Sequence, residues 1–301
     1  MKYPSLSGIS ISCSGPGTGT SKQGPVGRRR TREGADLKFT NADGAFFREH
    51  LYKGAENPHA ERGYVHLVDP SADEIESAFG RVRDFLADAG NHEDSREVGV
   101  GIGYFGHGEP DTGAWVLPNG VFSATDLTEL LCKYLPEKDF GRRSVDLFLD
   151  SCFSGAFLAE FLAAQSHPDY QGVHVYDAFA ATMPDEEAWE IDDLGHGAFT
   201  YTLKNRGNGN YLQSDLARAV NNNEIQAIRK HLQCFVPNPV TFLTEGDQHS
   251  IDVDKYRIRV LGGGEVELPD RTFHSSELKS ALNNCLNADD HETVAFPNVA
   301  G

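Results

Sequence analysis

The sequence lacks the features that mark membrane-spanning and disulfide-stabilised proteins. No apolar run approaches the roughly 20 residues that a transmembrane helix needs, and the N-terminus shows no charged-then-apolar signal pattern. The five cysteines are odd in number, widely spread and without C-x-x-C pairs, so neither a disulfide framework nor a zinc site is expected. We therefore expect a soluble cytoplasmic protein with free thiols and no membrane partner.

Positive charge is scarce as well, with 27 Lys and Arg against 45 Asp and Glu and a formal net charge of -18. Such a surface repels phosphate backbones, so no nucleic-acid partner is expected. A complete phosphate-binding loop is also missing: Gly15 to Lys22 is glycine-rich, but Thr20 stands where the motif requires lysine. We interpret this segment as a flexible loop, and a nucleotide-binding enzyme is the weakest alternative function.

Two predicted strands organise the rest of the chain. Residues 145–150 (V-D-L-F-L-D) are mostly apolar and precede Cys152 and a helix-like run, and residues 98–105 (V-G-V-G-I-G-Y-F) end just before His107. Elsewhere strands alternate with helices, including an amphipathic helix over 71–87 that opens with a capping-box pattern. This order predicts an α/β fold with a mostly parallel sheet flanked by helices, in a chain long enough for one large domain.

The ends of these two strands carry the candidate catalytic residues, Cys152 and His107. Open α/β sheets bind ligands at the carboxyl ends of their strands, and the start of the following helix favours the thiolate form of Cys152. A cysteine with a nearby histidine base is the arrangement of an activated thiol nucleophile. The structural alternatives are a packed small hydrophobe for Cys152 and a turn residue for His107.

Three motifs together resemble the caspase-like cysteine peptidases, the clan of metacaspases, paracaspases and prokaryotic caspase homologues. They are Gly106-His107-Gly108, then D-S-C-F-S-G over 150–155 about 45 residues later, and an acidic string that ends at Glu190 and precedes G-A-F-T over 197–200. The resemblance spans roughly residues 9–246. It implies a caspase-like peptidase domain over 1–246, large-subunit-like over 1–165 and small-subunit-like over 172–246. Residues 247–301 form a C-terminal extension of uncertain order.

The resemblance also implies residue roles. Cys152 attacks the peptide carbonyl, His107 protonates the leaving amine, and the backbone N–H groups of Gly108 and Cys152 bind the oxyanion. Glycine is required at position 108 because a side chain there would obstruct the close backbone approach.

The P1 pocket implied by the family positions is acidic, formed by Asp43, Asp150 and Glu190. Carboxylates there would accept Arg or Lys and reject Asp. Glu187 and Asp185 compete for the place of Glu190. Alternatively, Asp43 and Asp150 cap helices and Glu190 is an ordinary surface acid.

Caspase-like peptidases are generally kept latent, and basic segments offer candidate processing sites at Arg28, Arg29, Arg30, Arg32, Lys204 and Arg206. The alternative for the arginine tract is a solvated charge run. Residues 165–172 contain no Lys or Arg, so the enzyme is expected to work as a single chain. The expected partners are protein substrates with basic P1 residues, and either an upstream activating protease or an inhibitor. No cofactor or metal site is predicted; calcium stays open, since no ligand loop of defined spacing is present.

The function predicted from the sequence is a cysteine endopeptidase that cleaves after Arg or Lys, with a prokaryotic defence or cell-death role implied by the resemblance alone. One alternative is a catalytically silent caspase-like scaffold or regulator, which the intact His107, Gly108 and Cys152 disfavour. Another is a cysteine hydrolase that acts on non-peptide acyl bonds, which the acidic pocket disfavours.

Overall fold

A computed structural model describes most of the chain between residues 5 and 296. The described residues are 5–15, 28–30, 36–53, 63–90, 97–140, 142–167, 170, 173–191, 195–201, 240–245, 255–260, 263–269, 271–288 and 292–296. Several predicted features lie outside the described residues: Arg32, Lys204, Arg206, Cys234, and helices over 213–221 and 224–232.

A nine-stranded sheet forms the centre of the fold, in the order β14-β13-β12-β11-β8-β7-β4-β1-β3. The five strands from β8 to β3 are parallel to their neighbours, and β11, β12 and β13 continue the sheet in antiparallel pairs. Its strands are β1 (Ser5–Ser12), β3 (Tyr64–Val68), β4 (Glu97–Gly106), β7 (Arg142–Ser151), β8 (Val173–Ala180), β11 (Val240–Glu245), β12 (Lys255–Val260), β13 (Glu265–Glu267) and β14 (Thr293–Val294). The predicted α/β class with a mostly parallel sheet is confirmed.

Helices cover both faces of this sheet. They are α1 (Thr40–Lys53), α2 (Ala72–Gly90), α3 (Ala124–Tyr134), α4 (Glu137–Phe140), α5 (Ser154–Gln165) and α6 (Ser275–Cys285); residues 198–201 are also helical. The predicted capping box of α2 is present, with Ser71 N donating to Glu74 Oε2 and Glu74 N donating to Ser71 Oγ.

The alternation of β4 decides which helix packs on which face. Val100, Ile102 and Tyr104 are fully buried in the large core that includes α2 and α5, while the intervening glycines face α1. A Cβ on Gly103 would lie 2.9 Å from the ring of Phe47, so the bare backbone at this position lets α1 approach the sheet. This close approach brings the first turn of α1 to the carboxyl ends of the strands.

Two smaller sheets were not predicted. β5 (Trp115–Leu117) and β6 (Gly120–Phe122) form a hairpin between β4 and α3. β2 (Arg28–Arg30), β9 (Trp189–Ile191) and β10 (His196–Gly197) form a three-stranded antiparallel sheet. The first three arginines of the tract interpreted as a processing site or a solvated charge run are therefore extended backbone that pairs with β9.

The C-terminal residues continue the same architecture. β12, β13 and β14 extend the main sheet, and α6 packs against α5, the helix that follows Cys152. Lys279 Nζ donates to Glu160 Oε1 on α5 and to the carbonyl of Asp111. The described part of the 247–301 extension is thus ordered on the main sheet.

Among the described residues, no helix combines the length and the apolarity needed to cross a membrane. The cysteines described there are all free thiols, with Cys13, Cys152 and Cys285 buried and Cys132 half-buried.

Candidate active site

The register of β4 and β7 brings His107 and Cys152 to neighbouring strand ends. Gly106 pairs with Ser151 as the last step of this parallel ladder, and His107 and Cys152 are the next residue on each strand. Both side chains are buried. The Cys152 thiol lies 3.9 Å from the carbonyl oxygen of Ala188, in the segment that leads into β9. The two predicted residues therefore follow neighbouring strands at the carboxyl edge of the parallel sheet.

Gly108 lies directly against the backbone of Cys152. A Cβ added at Gly108 would be 2.0 Å from the Cys152 carbonyl oxygen, closer than any side chain tolerates. The turn itself is fixed from behind, because the Tyr104 hydroxyl and the Val116 N–H both donate to the His107 carbonyl at 2.6 and 3.0 Å. The two backbones that were predicted to bind an oxyanion are thus held side by side.

The turn after Cys152 has an unusual backbone. Phe153 has left-handed dihedrals (φ 56, ψ 21), and α5 starts at the next residue. Its N–H donates to the carbonyl of Glu186 at 2.8 Å, and Ser154 exchanges hydrogen bonds with Thr182. The strand-to-helix turn that presents Cys152 is therefore anchored to the segment after β8.

The structure brings the three predicted acids together beside this edge. Asp43 in the first turn of α1, Asp150 near the end of β7 and Glu190 in β9 are all buried. Gly197 lies between two of them: its N–H donates to Asp43 Oδ2 at 3.0 Å, and a Cβ on it would be 2.5 Å from Asp150 Oδ2. Gly197 also pairs with Glu190 in the β9–β10 ladder. We call Asp43, Asp150 and Glu190 the acidic cluster.

Each acid has hydrogen-bond donors from a different segment. Asp150 Oδ2 accepts from the N–H and the hydroxyl of Thr200 at 3.1 and 2.5 Å. Glu190 accepts from the backbone N–H groups of Lys38 and Phe39 at 3.0 and 2.9 Å. Asp150 does not cap α5, which was the structural alternative for this residue. The N-cap of α5 is Phe153, and no side chain makes a capping hydrogen bond there.

Asp43 has a partner that sequence reasoning did not assign. His196 Nδ1 lies 2.6 Å from Asp43 Oδ1, and both side chains are buried. In the sequence His196 has no metal-ligand spacing, which favours a structural or exposed histidine. The sequence did contain one signal: Gly195-His196-Gly197 repeats the Gly-His-Gly pattern of residues 106–108.

The electrostatics of the cluster centre on Asp150. Its pKa is raised to about 7, first by burial and then by the charge of Asp43; the hydrogen bonds from Thr200 lower it, and Glu190 adds a smaller increase. A buried site with excess negative charge is stabilised when a cation enters it, and a planar guanidinium can bond to carboxylates through two N–H groups at once.

In the part of the chain that the structure describes, no group of three His, Cys, Asp or Glu side chains is arranged to hold a metal ion.

The other candidate residues near Glu190 lie in different surroundings. Asp185 and Glu187, the alternatives to Glu190, are exposed. Arg28, Arg29 and Arg30 form β2, with Arg29 in register with Glu190.

Comparison with known proteins gives little beyond this geometry. No protein-family model and no curated protein matches the chain. Among solved structures, a secreted C11 cysteine protease from Bacteroides thetaiotaomicron, in complex with an irreversible peptide inhibitor, matches with a TM-score of 0.39 and 10% identity. The match covers 79% of this chain, and the chain spans 65% of the length of that structure.

Proposed function

We propose that this protein is a cysteine endopeptidase that cleaves proteins after Arg or Lys. The observation that supports it best is the convergence of His107, Gly108 and Cys152 at one sheet edge with three buried carboxylates beside them. A thiol, a histidine base and two adjacent backbone N–H groups suit acyl transfer, and the acidic cluster suits the binding of a cationic side chain.

The chemistry follows from these positions. The Cys152 thiolate attacks the scissile carbonyl, and the oxyanion accepts hydrogen bonds from the N–H groups of Gly108 and Cys152. As the C–N bond breaks, His107 gives a proton to the leaving amine, and the acyl group remains as a thioester on Cys152. His107 then takes a proton from water, which attacks the thioester and releases the carboxylic acid and the thiolate.

Latency is part of the proposal. Cys152 is only 4% exposed, and β2 lies along β9, the strand that holds Glu190. β2 is a basic segment in extended conformation, and it occupies the edge of β9 where a substrate backbone would pair beside the acidic cluster. Cleavage at Arg28–Arg30 by an upstream protease would free that edge. The cytoplasmic location and the defence role stay predictions.

Peptide cleavage by the purified protein tests the proposal. Fluorogenic peptides with Arg, Lys, Asp or Ala at P1 are assayed with the unsubstituted protein and with Cys152→Ala. We expect hydrolysis only after Arg and Lys, weak while the chain is uncut and absent in Cys152→Ala. Hydrolysis after Asp or Ala would refute the acidic pocket, and activity that survives Cys152→Ala would refute the nucleophile.

Limited proteolysis tests the latency. Both proteins are treated with immobilised trypsin; the beads are then removed and a trypsin inhibitor is added. Any peptide hydrolysis that remains in the treated Cys152→Ala protein measures residual trypsin. We expect a Cys152-dependent rise in activity once the chain is cut within Arg28–Arg30. If the cut protein and the intact protein are both inactive on every peptide, the catalytically silent scaffold replaces the enzyme.

A further inference from the structure

The short segment from His196 to Thr200 supplies hydrogen-bond donors to two acids of the acidic cluster. His196 and Gly197 contact Asp43, and Thr200 contacts Asp150. The peptidase chemistry described above assigns no role to His196.

The contact between His196 and Asp43 joins a ring nitrogen to a carboxylate oxygen, His196 Nδ1 to Asp43 Oδ1 at 2.6 Å. Because an ionised carboxylate can only accept, we assign the proton to His196 Nδ1. Gly197 N donates to the other oxygen of the same carboxylate at 3.0 Å. Both oxygens of Asp43 are therefore held by donors from β10, in a site where His196 and Asp43 are both buried.

These donors matter because the acids repel one another. Two buried carboxylates at close range do not ionise equally, and hydrogen bonds to the charged form decide which of them stays ionised. Asp43 has the imidazole N–H and a backbone N–H; Asp150, its neighbour across Gly197, has the donors of Thr200 alone among the bonds described above. Without the imidazole donor, the two carboxyl groups would more readily share one proton, and the pocket would hold one negative charge fewer.

We infer that His196 is a specificity-determining positioning residue, whose Nδ1–H keeps the Asp43 carboxylate oriented and charged so that the acidic cluster binds a guanidinium or amidinium side chain. The use of this pocket for substrate P1 residues rests on the proposed peptidase function. The cation binding itself does not.

A binding titration in the Cys152→Ala background tests the inference without catalysis. The probe is p-aminobenzamidine, a small fluorescent amidinium that mimics an arginine side chain. The variants are His196→Ala, His196→Asn and His196→Gln, because the Asn amide nitrogen stands as many bonds from Cα as His Nδ1 does, while that of Gln matches Nε2. His167→Ala at the exposed end of α5 is the control for loss of a histidine.

We expect binding to weaken by about tenfold or more in His196→Ala and His196→Gln, the scale of one hydrogen bond to a charged group. His196→Asn and His167→Ala should bind close to the unsubstituted protein, with a native circular dichroism spectrum throughout. Equal binding by all variants would overturn the inference, as would failure of His196→Asn alongside His196→Ala, since ring packing would then explain the effect. Absence of amidine binding in the unsubstituted protein would overturn it too.

Peptide hydrolysis by the same variants with Cys152 restored separates this inference from the peptidase. If amidine binding depends on His196 but no peptide is cleaved in a Cys152-dependent way, the proposed function fails while the pocket role of His196 stands. If Arg peptides are cleaved equally by His196→Ala and the unsubstituted protein, the peptidase stands and the inference fails.

Discussion

At Gly108, the turn that carries His107 comes closer to the Cys152 backbone than a side chain would permit. The obstructing atom is a backbone carbonyl oxygen, so rotation of a flexible side chain cannot relieve the contact. Any Cβ at this position must separate the two turns whose N–H groups are proposed to bind the oxyanion.

Gly108→Ala should therefore lower kcat/KM for P1 Arg peptides by about 100-fold or more, the cost of losing an oxyanion donor. The measurement is initial-rate kinetics with a thermal melt on the same preparation. Gly80→Ala is the matched control, since a Cβ there lies 3.7 Å from the Tyr134 ring, an ordinary contact, and alanine favours the helix. Normal activity in Gly108→Ala would exclude the proposed oxyanion site.

The raised pKa of Asp150 predicts a pH-dependent preference for basic P1 residues. With a pKa of about 7, the carboxyl is charged above pH 7 and neutral below it. The ratio of kcat/KM for P1 Arg peptides to kcat/KM for peptides with an uncharged P1 residue should fall as the pH drops through 7. Titration of the proposed Cys152–His107 pair affects both substrates equally and therefore cancels in this ratio. In Asp150→Asn the ratio should be low and flat. A flat ratio in the unsubstituted protein would contradict the assignment.

At the scale of elements, the start of α5 depends on a contact with the segment after β8. Thr182 Oγ1 accepts from Ser154 N at 3.0 Å, Thr182 N donates to Ser154 Oγ at 3.2 Å, and all of these groups are buried. Cys152 lies between β7 and this helix start, so the contact positions the proposed nucleophile without touching it.

Thr182→Val keeps the shape of the side chain and removes its hydroxyl, which leaves a buried donor without its acceptor and costs about 1–3 kcal/mol. We expect a lower melting temperature together with reduced Cys152-dependent activity. Thr128→Val removes a buried hydroxyl between α3 and α5, bonded to Ala124 O and Gln165 Nε2. This control should lower the melting temperature and leave activity intact; equal loss of activity in both would show a general destabilisation.

Local sequence patterns were sufficient for α2 and for the two strands that precede His107 and Cys152. The helix predicted over 71–87 is α2, and the strands predicted over 98–105 and 145–150 lie within β4 and β7, because capping residues and apolar periodicity act within a few residues. The hairpin at Trp115 and the β2–β9 pairing were not predictable in this way. These strands are three residues long and show no apolar alternation that would predict them. In β2 the only sequence signal is a run of arginines, which does not indicate a strand.

The candidate site shows the same division. Cys152, His107 and Asp150 follow directly from motifs at strand ends. The contact of His196 with Asp43 joins residues more than 150 positions apart, and nothing in the spacing of either residue indicates the other. A contact of this kind is a property of the assembled sheet.

At the scale of the whole molecule, the main sheet includes strands from both ends of the described chain. β1 lies second from one edge, and β12, β13 and β14 form the other. Ile258, Val260, Val266, Leu278 and Leu282 from the C-terminal part are buried in the same core cluster as β1 and β4. The C-terminal extension is therefore expected to fold with the rest, not independently of it.

A chain that ends at residue 250 should lose cooperative unfolding, because the antiparallel side of the sheet and one face of α5 become exposed. Circular dichroism melts and gel filtration measure this. Leu282→Ala in the full chain is the graded comparison, with an expected cost of about 2–5 kcal/mol and a single transition at lower temperature. A shortened chain that melts like the full one would show that residues 251–301 are a separate unit.

The dispersal of the acidic cluster along the chain has a consequence for synthesis on the ribosome. Its three acids lie in α1, β7 and β9, and Thr200, which donates to Asp150, lies in the helical residues 198–201. Roughly 160 residues separate the first from the last, so at about 5–20 residues per second they emerge about 8–30 s apart. A nascent chain thus exposes Arg28, Arg29 and Arg30 well before Thr200 has been synthesised, so the acidic cluster and its donors can assemble only late in synthesis.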